Sequence, residues 1–156
     1  MFGMTQSRLS RLAALALALS TVGVCLGLSG AEPTVEELKD RVGKAAIGDR
    51  PPLCIRISEL QLDATDRFYV ADDDEKVRAA LGDVVTYSEM ARDYSIQSLK
   101  HEKQSEIAVR KMVRRLVDLK HTVSREDQEQ IQNTIDRLQR VRDDLLAAMF
   151  AKGNKK

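Results

Sequence analysis

The two histidines are the residues of this sequence best suited to metal or acid–base chemistry. His101 and Glu102 begin like the helix motif of zinc proteases, but the second histidine of that motif would stand where the chain has Ser105. His121 follows Asp118 by three residues, so on a helix the carboxylate would orient the imidazole. The sequence contains no phosphate-binding glycine loop and no nucleophile elbow. We therefore predict no catalytic residue, no metal site and no cofactor. The alternative is a protein of another functional class, a helical bundle that binds a metal ion or haem through His101 or His121.

The composition indicates a globular protein without a nucleic-acid partner. The chain has 156 residues, of which 43% are hydrophobic and 31% are charged. Its 25 Lys and Arg against 24 Asp and Glu leave a formal net charge of +1. A nucleic-acid-binding domain normally carries a clear basic excess. We predict that the protein binds no nucleic acid and has no small-molecule substrate.

Positive charge is concentrated in the segment 100–121, which holds seven Lys or Arg against three acids. The segment 125–144 has the opposite balance, with four Lys or Arg against six acids. One interpretation is that these two segments pair within the chain, each exposed pair contributing only tenths of a kcal/mol. The functional interpretation is a basic stripe for an anionic partner, such as an acidic protein, a lipid headgroup or a cell-wall polymer. The predicted stripe consists of Lys100, Lys103, Arg110, Lys111, Arg114 and Arg115.

Apolar side chains precede this stripe and extend the predicted binding surface. Tyr87, Tyr94 and Leu99 cannot all share one inward face with their apolar neighbours, because Tyr94 and Ile96 are about 200° apart on a helix. The stretch 100–106 contains no apolar residue and would bury little against its own chain. We therefore predict that a protein partner docks between Tyr87 and Arg115, with self-association through the same surface as the alternative.

The first 31 residues have the organisation of an export signal. Arg8 and Arg11 precede an apolar run from Leu12 to Leu28, and small residues follow up to Ala31. This order is typical of a secretory signal peptide cleaved by signal peptidase. We predict cleavage after Ala31 and a periplasmic or secreted protein of residues 32–156. The less favoured alternatives are a retained membrane anchor and a lipoprotein acylated at Cys25.

The remaining chain predicts an all-α fold. Helices are expected at about 34–47, 50–70, 73–121 and 125–151, with Thr34 and Ser124 as N-caps and Cys54 as a buried thiol. Because no proline and only Gly82 interrupts residues 75–121, we predict one long central helix. Shorter helices would fold back on it in an elongated antiparallel bundle of three to four helices. A compact four-helix bundle, broken near Lys100, is the alternative.

The start of the last helix is similar to a motif of small periplasmic helical chaperones of the stress-response type. Residues 123–128 read Val-Ser-Arg-Glu-Asp-Gln, whereas the family motif is Leu-Thr-x-x-Gln, with the glutamine one place earlier. The resemblance implies a holdase-like binder of other proteins. The main prediction is an exported, non-enzymatic helical protein that acts in protein–protein or envelope interaction, and the stress chaperone is its alternative.

Overall fold

The computed structural model describes residues 32–153, which form five α-helices and no strand. The helices are α1 (Val35–Lys44), α2 (Arg50–Val70), α3 (Asp74–Ser98), α4 (Glu102–Lys120) and α5 (Arg125–Gly153), with a 3-10 turn at Ile47–Asp49 between the first two. The predicted all-α bundle is confirmed. The predicted export signal at residues 1–31 and the cysteine at position 25 lie outside the described residues.

Local signals in the sequence account for where most helices begin. Thr34 Oγ1 accepts a hydrogen bond from Glu37 N–H, and the Glu37 carboxylate accepts one from Thr34 N–H, so the predicted capping box starts α1. Asp73 caps α3 by accepting from Lys76 N–H at 3.1 Å. Ser124 Oγ accepts from Asp127 N–H at the start of α5. These starts follow from side chains within four residues of each helix end.

The predicted long helix over residues 73–121 is wrong, because the chain turns between α3 and α4. Leu99 and His101 both have left-handed backbone conformations, with φ of 59° and 63°. Lys100 N–H donates to Ser95 O at 3.2 Å, as in the 6→1 bond of a Schellman motif, and Leu99 N–H donates to the same oxygen, as in the αL motif; both bonds close the end of α3. The alternative with a break near Lys100 therefore describes the chain correctly.

Helices α2 to α5 form an up-down-up-down bundle, and α1 covers one side. Successive helices run antiparallel: α2 contacts α3 through Ser58 with Ser88 and, further along, Gln61 with Asp83. Lys152 at the end of α5 pairs with Glu102 at the start of α4. Parallel helices also touch, as the α3–α5 pair of Glu89 and Arg137 shows. This arrangement places α4 between α2 and α5, with its remaining face outward.

The core has a large apolar part and a small-residue part. Apolar side chains from α2, α3, α4 and α5 form the larger cluster, and Leu38 and Val42 of α1 join Cys54, Ile57 and Ala91 in a second one. Buried serines lie between α2, α3 and α4: Ser58 donates to Val84 O, Ser88 donates to Ser58, and Ser95 and Ser105 share a hydrogen bond of 3.1 Å. These hydroxyls satisfy one another, so small polar residues allow close helix packing without orphaned groups.

Candidate functional site

The exposed face of α4 carries the predicted cations that remain available to a partner. Lys103, Lys111 and Arg114 are exposed, and Arg110 is half-buried with its Nε 3.6 Å from a Glu106 oxygen. The four positions recur at helical spacing, so they lie on one side of α4, which we call the α4 basic face. Half-buried Ile107 and exposed Val117 lie on this face as well. The 103, 107, 110, 114, 117 spacing is the sequence signal that would have identified these two apolar residues.

Arg115 is not part of this face, contrary to the prediction. Its guanidinium turns toward α2 and forms hydrogen-bonded ion pairs with Asp63 and Asp66. Burial disfavours the charged form of this side chain and so lowers its pKa. The hydrogen bonds to the two aspartates together have the larger effect, so the pKa of Arg115 is raised overall. The arginine therefore joins α4 to α2.

Lys100 also lies away from the α4 basic face. It belongs to the turn between α3 and α4 and is exposed. Its chain runs against the 3-10 turn, because a Cβ placed on Gly48 would stand 3.0 Å from Lys100 Cδ. Its ammonium forms no ion pair within residues 32–153. Because its side chain lies against the 3-10 turn, it does not join the cations of α4 in one stripe.

The two predicted binding tyrosines are partly covered by other parts of the protein, so residues 87–115 do not present one continuous docking surface. Tyr87 and Tyr94 are half-buried against the cluster formed with α1. Lys39 of α1 lies 5.4 Å from the Tyr87 ring centroid, and Arg50 lies 5.0 Å from that of Tyr94. Arg50 also donates to Tyr94 Oη at 3.3 Å. Lys39 of α1 therefore covers the Tyr87 ring, and Arg50 at the start of α2 covers that of Tyr94.

Leu99 is the apolar site residue that does reach solvent. Its side chain is 66% exposed at the turn between α3 and α4. It is separated from the tyrosines, which lie under α1 and Arg50.

Part of the polar stretch at the start of α4 is buried, which corrects the expectation that residues 100–106 bury little against their own chain. Glu102 and Glu106 are only 8% and 6% exposed. Glu102 Oε2 accepts from Lys152 Nζ at 2.6 Å, and Glu106 Oε1 accepts from Arg142 Nε at 2.9 Å. The sequence suggested that cations of residues 100–121 pair with acids of residues 125–144. The structure shows the opposite pairing here, because acids of α4 contact cations of α5. On the α4 basic face, Arg110 shares this Glu106 oxygen with Arg142, whereas Lys103, Lys111 and Arg114 form no ion pair with α5 within the described residues.

A cavity of about 310 Å³ adjoins the α4 basic face on its α2 side. Lys111 and Arg115 line one wall and Glu59 and Asp63 line the other, while Leu62 and Met112 at its floor are only 1% and 3% exposed. The apolar groups that a partner would contact beside the cations are therefore Ile107 and Val117 on the face itself.

The two histidines of the metal or haem alternative lie at opposite ends of α4. Twenty residues at about 1.5 Å each separate His101 from His121 by about 30 Å, so one metal ion cannot bind both. Among residues 32–153, no group of three or more His, Cys, Asp or Glu is arranged to hold a metal ion. Cys54 is fully buried, as predicted, and burial raises the pKa of its thiol to about 12.

None of the helices in residues 32–153 is both long enough and apolar enough to cross a bilayer. Comparisons of this chain with protein-family models, with curated proteins and with solved structures find no match.

Proposed function

We propose that this chain is an exported, non-enzymatic helical protein that binds an acidic protein surface through the α4 basic face. The observation that carries the proposal is the separation of roles among the predicted cations. Arg115 is paired inside the protein, whereas Lys103, Lys111 and Arg114 form no ion pair within the described residues. Cations that do not stabilise the fold are free to meet carboxylates of a partner.

Apolar contacts beside these cations favour a protein over a purely ionic partner. Half-buried Ile107 and exposed Val117 lie among the charges on the same face of α4. Interfaces combine such an apolar centre with a polar rim, and the charges mainly raise the association rate and the specificity. The partner expected from this chemistry presents Asp or Glu around one or two apolar side chains.

The proposal is tested by reversing the charge of the face and of a matched control. We expect Lys103→Glu/Lys111→Glu/Arg114→Glu to lose capture of a partner from an envelope extract of the native host by at least tenfold. The control changes three other exposed arginines and has the same net charge: Arg78→Glu/Arg125→Glu/Arg140→Glu. It should capture the partner as the original protein does, and capture should weaken with salt.

Three results would speak against the proposal. Equal capture by both triple variants would show that the α4 basic face is not the binding surface. Binding to anionic lipid vesicles, with no protein captured, would identify a membrane surface in place of a protein. Capture of many unrelated unfolded proteins by both variants would favour the holdase-like chaperone.

A further inference from the structure

The turn between α3 and α4 holds two residues in a conformation that their side chains disfavour. Leu99 and His101 are left-handed, and neither is glycine. This conformation is disfavoured by roughly five- to thirtyfold per residue for side chains with a Cβ. No side-chain hydrogen bond caps α4 at His101 in the described structure. Apart from the backbone hydrogen bonds to Ser95 O, the turn therefore depends on the contacts that α4 and α5 make elsewhere.

The sequence of the same segment is compatible with an uninterrupted helix. No proline or glycine occurs between Gly82 and Gly153. The buried residues of α3 and α4 also continue one heptad-like series across the turn, through Ser95, Glu102 and Ser105. Straightening residues 99–101 would therefore relieve the left-handed residues and keep one face of the joined helix for packing.

The contacts that hold the two halves together do not depend on both halves belonging to one molecule. The first half comprises α1, α2 and α3, and the second is the α4–α5 hairpin. Side chains join them at Ser95 and Ser105, at Glu89 and Arg137, at Arg92 and Asp144, and at Arg115 with Asp63 and Asp66. An α4–α5 hairpin from a second copy offers the same partners.

We propose that two copies of this chain exchange their α4–α5 hairpins and form a domain-swapped dimer. In this dimer α3 and α4 become one continuous helix from Asp74 to Lys120, about 70 Å long. Each hairpin packs on α2 and α3 of the other copy. Short hinges under strain are a common cause of such exchange.

A pair of cysteines distinguishes the swapped dimer from the monomer. Ser95 Oγ and Ser105 Oγ are 3.1 Å apart, so Ser95→Cys/Ser105→Cys places two thiols within reach of a disulfide. The full chain is used with Cys25→Ser, and the buried Cys54 is retained. After refolding at high protein concentration and oxidation, we expect a dimer with interchain disulfides on a non-reducing gel. Refolding at low concentration should give the intrachain disulfide.

The hinge is then changed in the same background. Leu99→Gly/His101→Gly fits the left-handed turn and disfavours the continuous helix, each helical glycine by roughly fivefold relative to alanine. With four such glycines in a dimer, we expect its dissociation constant to rise by roughly a hundredfold or more. The matched control is Gln97→Gly/Gln104→Gly. These two residues are helical in the monomer and in the dimer, so their replacement should leave the dissociation constant within about tenfold.

The inference is overturned by any of three results. The first is an intrachain disulfide at every protein concentration, and the second is a dimer in which each chain keeps its own disulfide. The third is an amount of interchain disulfide that the hinge glycines do not reduce. Circular dichroism verifies that each variant remains helical. None of these outcomes depends on the partner of the α4 basic face.

Discussion

Removing the positive charge of Arg142 should destabilise the protein, because it leaves the Glu106 carboxylate buried without its main partner. The Glu106 side chain is 7% exposed, and its Oε1 lies 2.9 Å from Arg142 Nε. Breaking a fully buried pair costs about 3–5 kcal/mol. Arg142 itself is 37% exposed, and Arg110 remains 3.6 Å from the same carboxylate oxygen. For Arg142→Met we therefore expect a smaller loss of unfolding free energy, about 1–3 kcal/mol.

Removing both charges should restore most of this loss. Glu106→Leu/Arg142→Met leaves no unpaired carboxylate and adds apolar surface between α4 and α5. Replacing a buried ion pair by hydrophobic residues is often neutral or stabilising. We expect the double variant to lie within about 1 kcal/mol of the original protein, which a double-mutant cycle would report as a coupling between the two sites.

Urea unfolding followed by far-UV circular dichroism measures these free energies. Arg140→Met is the control, because Arg140 is exposed on the same helix and forms no ion pair in residues 32–153. Its effect should stay within about 0.5 kcal/mol. If Arg142→Met is equally mild, the buried Glu106 carboxylate does not depend on Arg142, and the stabilising ion pair between α4 and α5 is refuted.

Three further predictions concern the core and its pH dependence. The pKa of the Cys54 thiol is raised from 9.0 to about 12 by burial, so the folded state favours the neutral thiol. The unfolding free energy should fall as pH rises from 9 toward 12, more steeply than in Cys54→Ala; equal slopes would contradict this. Tyr94→Ser should lower the unfolding free energy by about 1–3 kcal/mol, whereas Leu99→Ser, at an exposed position, should lower it by under about 0.5 kcal/mol. Equal losses in urea unfolding would contradict the assigned burial. Leu38→Ala should cost about 2–4 kcal/mol in the same assay, and no loss would mean that α1 is not docked.

The α-helical character of the chain and the start of most helices were predictable, because both depend on residues that are neighbours in the sequence. The Thr34 capping box, the prolines after Arg50 and the Ser124 cap each act within one turn. The buried stripe of α5 was predictable as well, from apolar residues at helical spacing that include Ile131 and Leu145.

The turn between α3 and α4 was not predictable, because Leu99, Lys100 and His101 carry no helix-breaking signal. The turn is maintained by contacts between residues far apart in the chain. For the same reason, the polar stretch that includes Glu102 was mistaken for exposed surface: its partner Lys152 is 50 residues away. Charge and spacing identified candidate cations, but only tertiary contacts distinguish Arg114, which forms no ion pair within residues 32–153, from the paired Arg115.

Everything assigned to α4 depends on the chain reversing direction at Leu99–His101. The most direct test is the distance between two spin labels at the exposed positions of Thr86→Cys and Arg114→Cys, in dilute monomeric protein with Cys25→Ser. These positions lie at equal distances along the chain from the two ends of the turn. Reversal brings them to the same level of the bundle, so we predict a pulsed-EPR distance of about 20–25 Å, set by two helix diameters. A distance of about 42 Å in the monomer, the length of 28 residues of uninterrupted helix, would contradict the reversal.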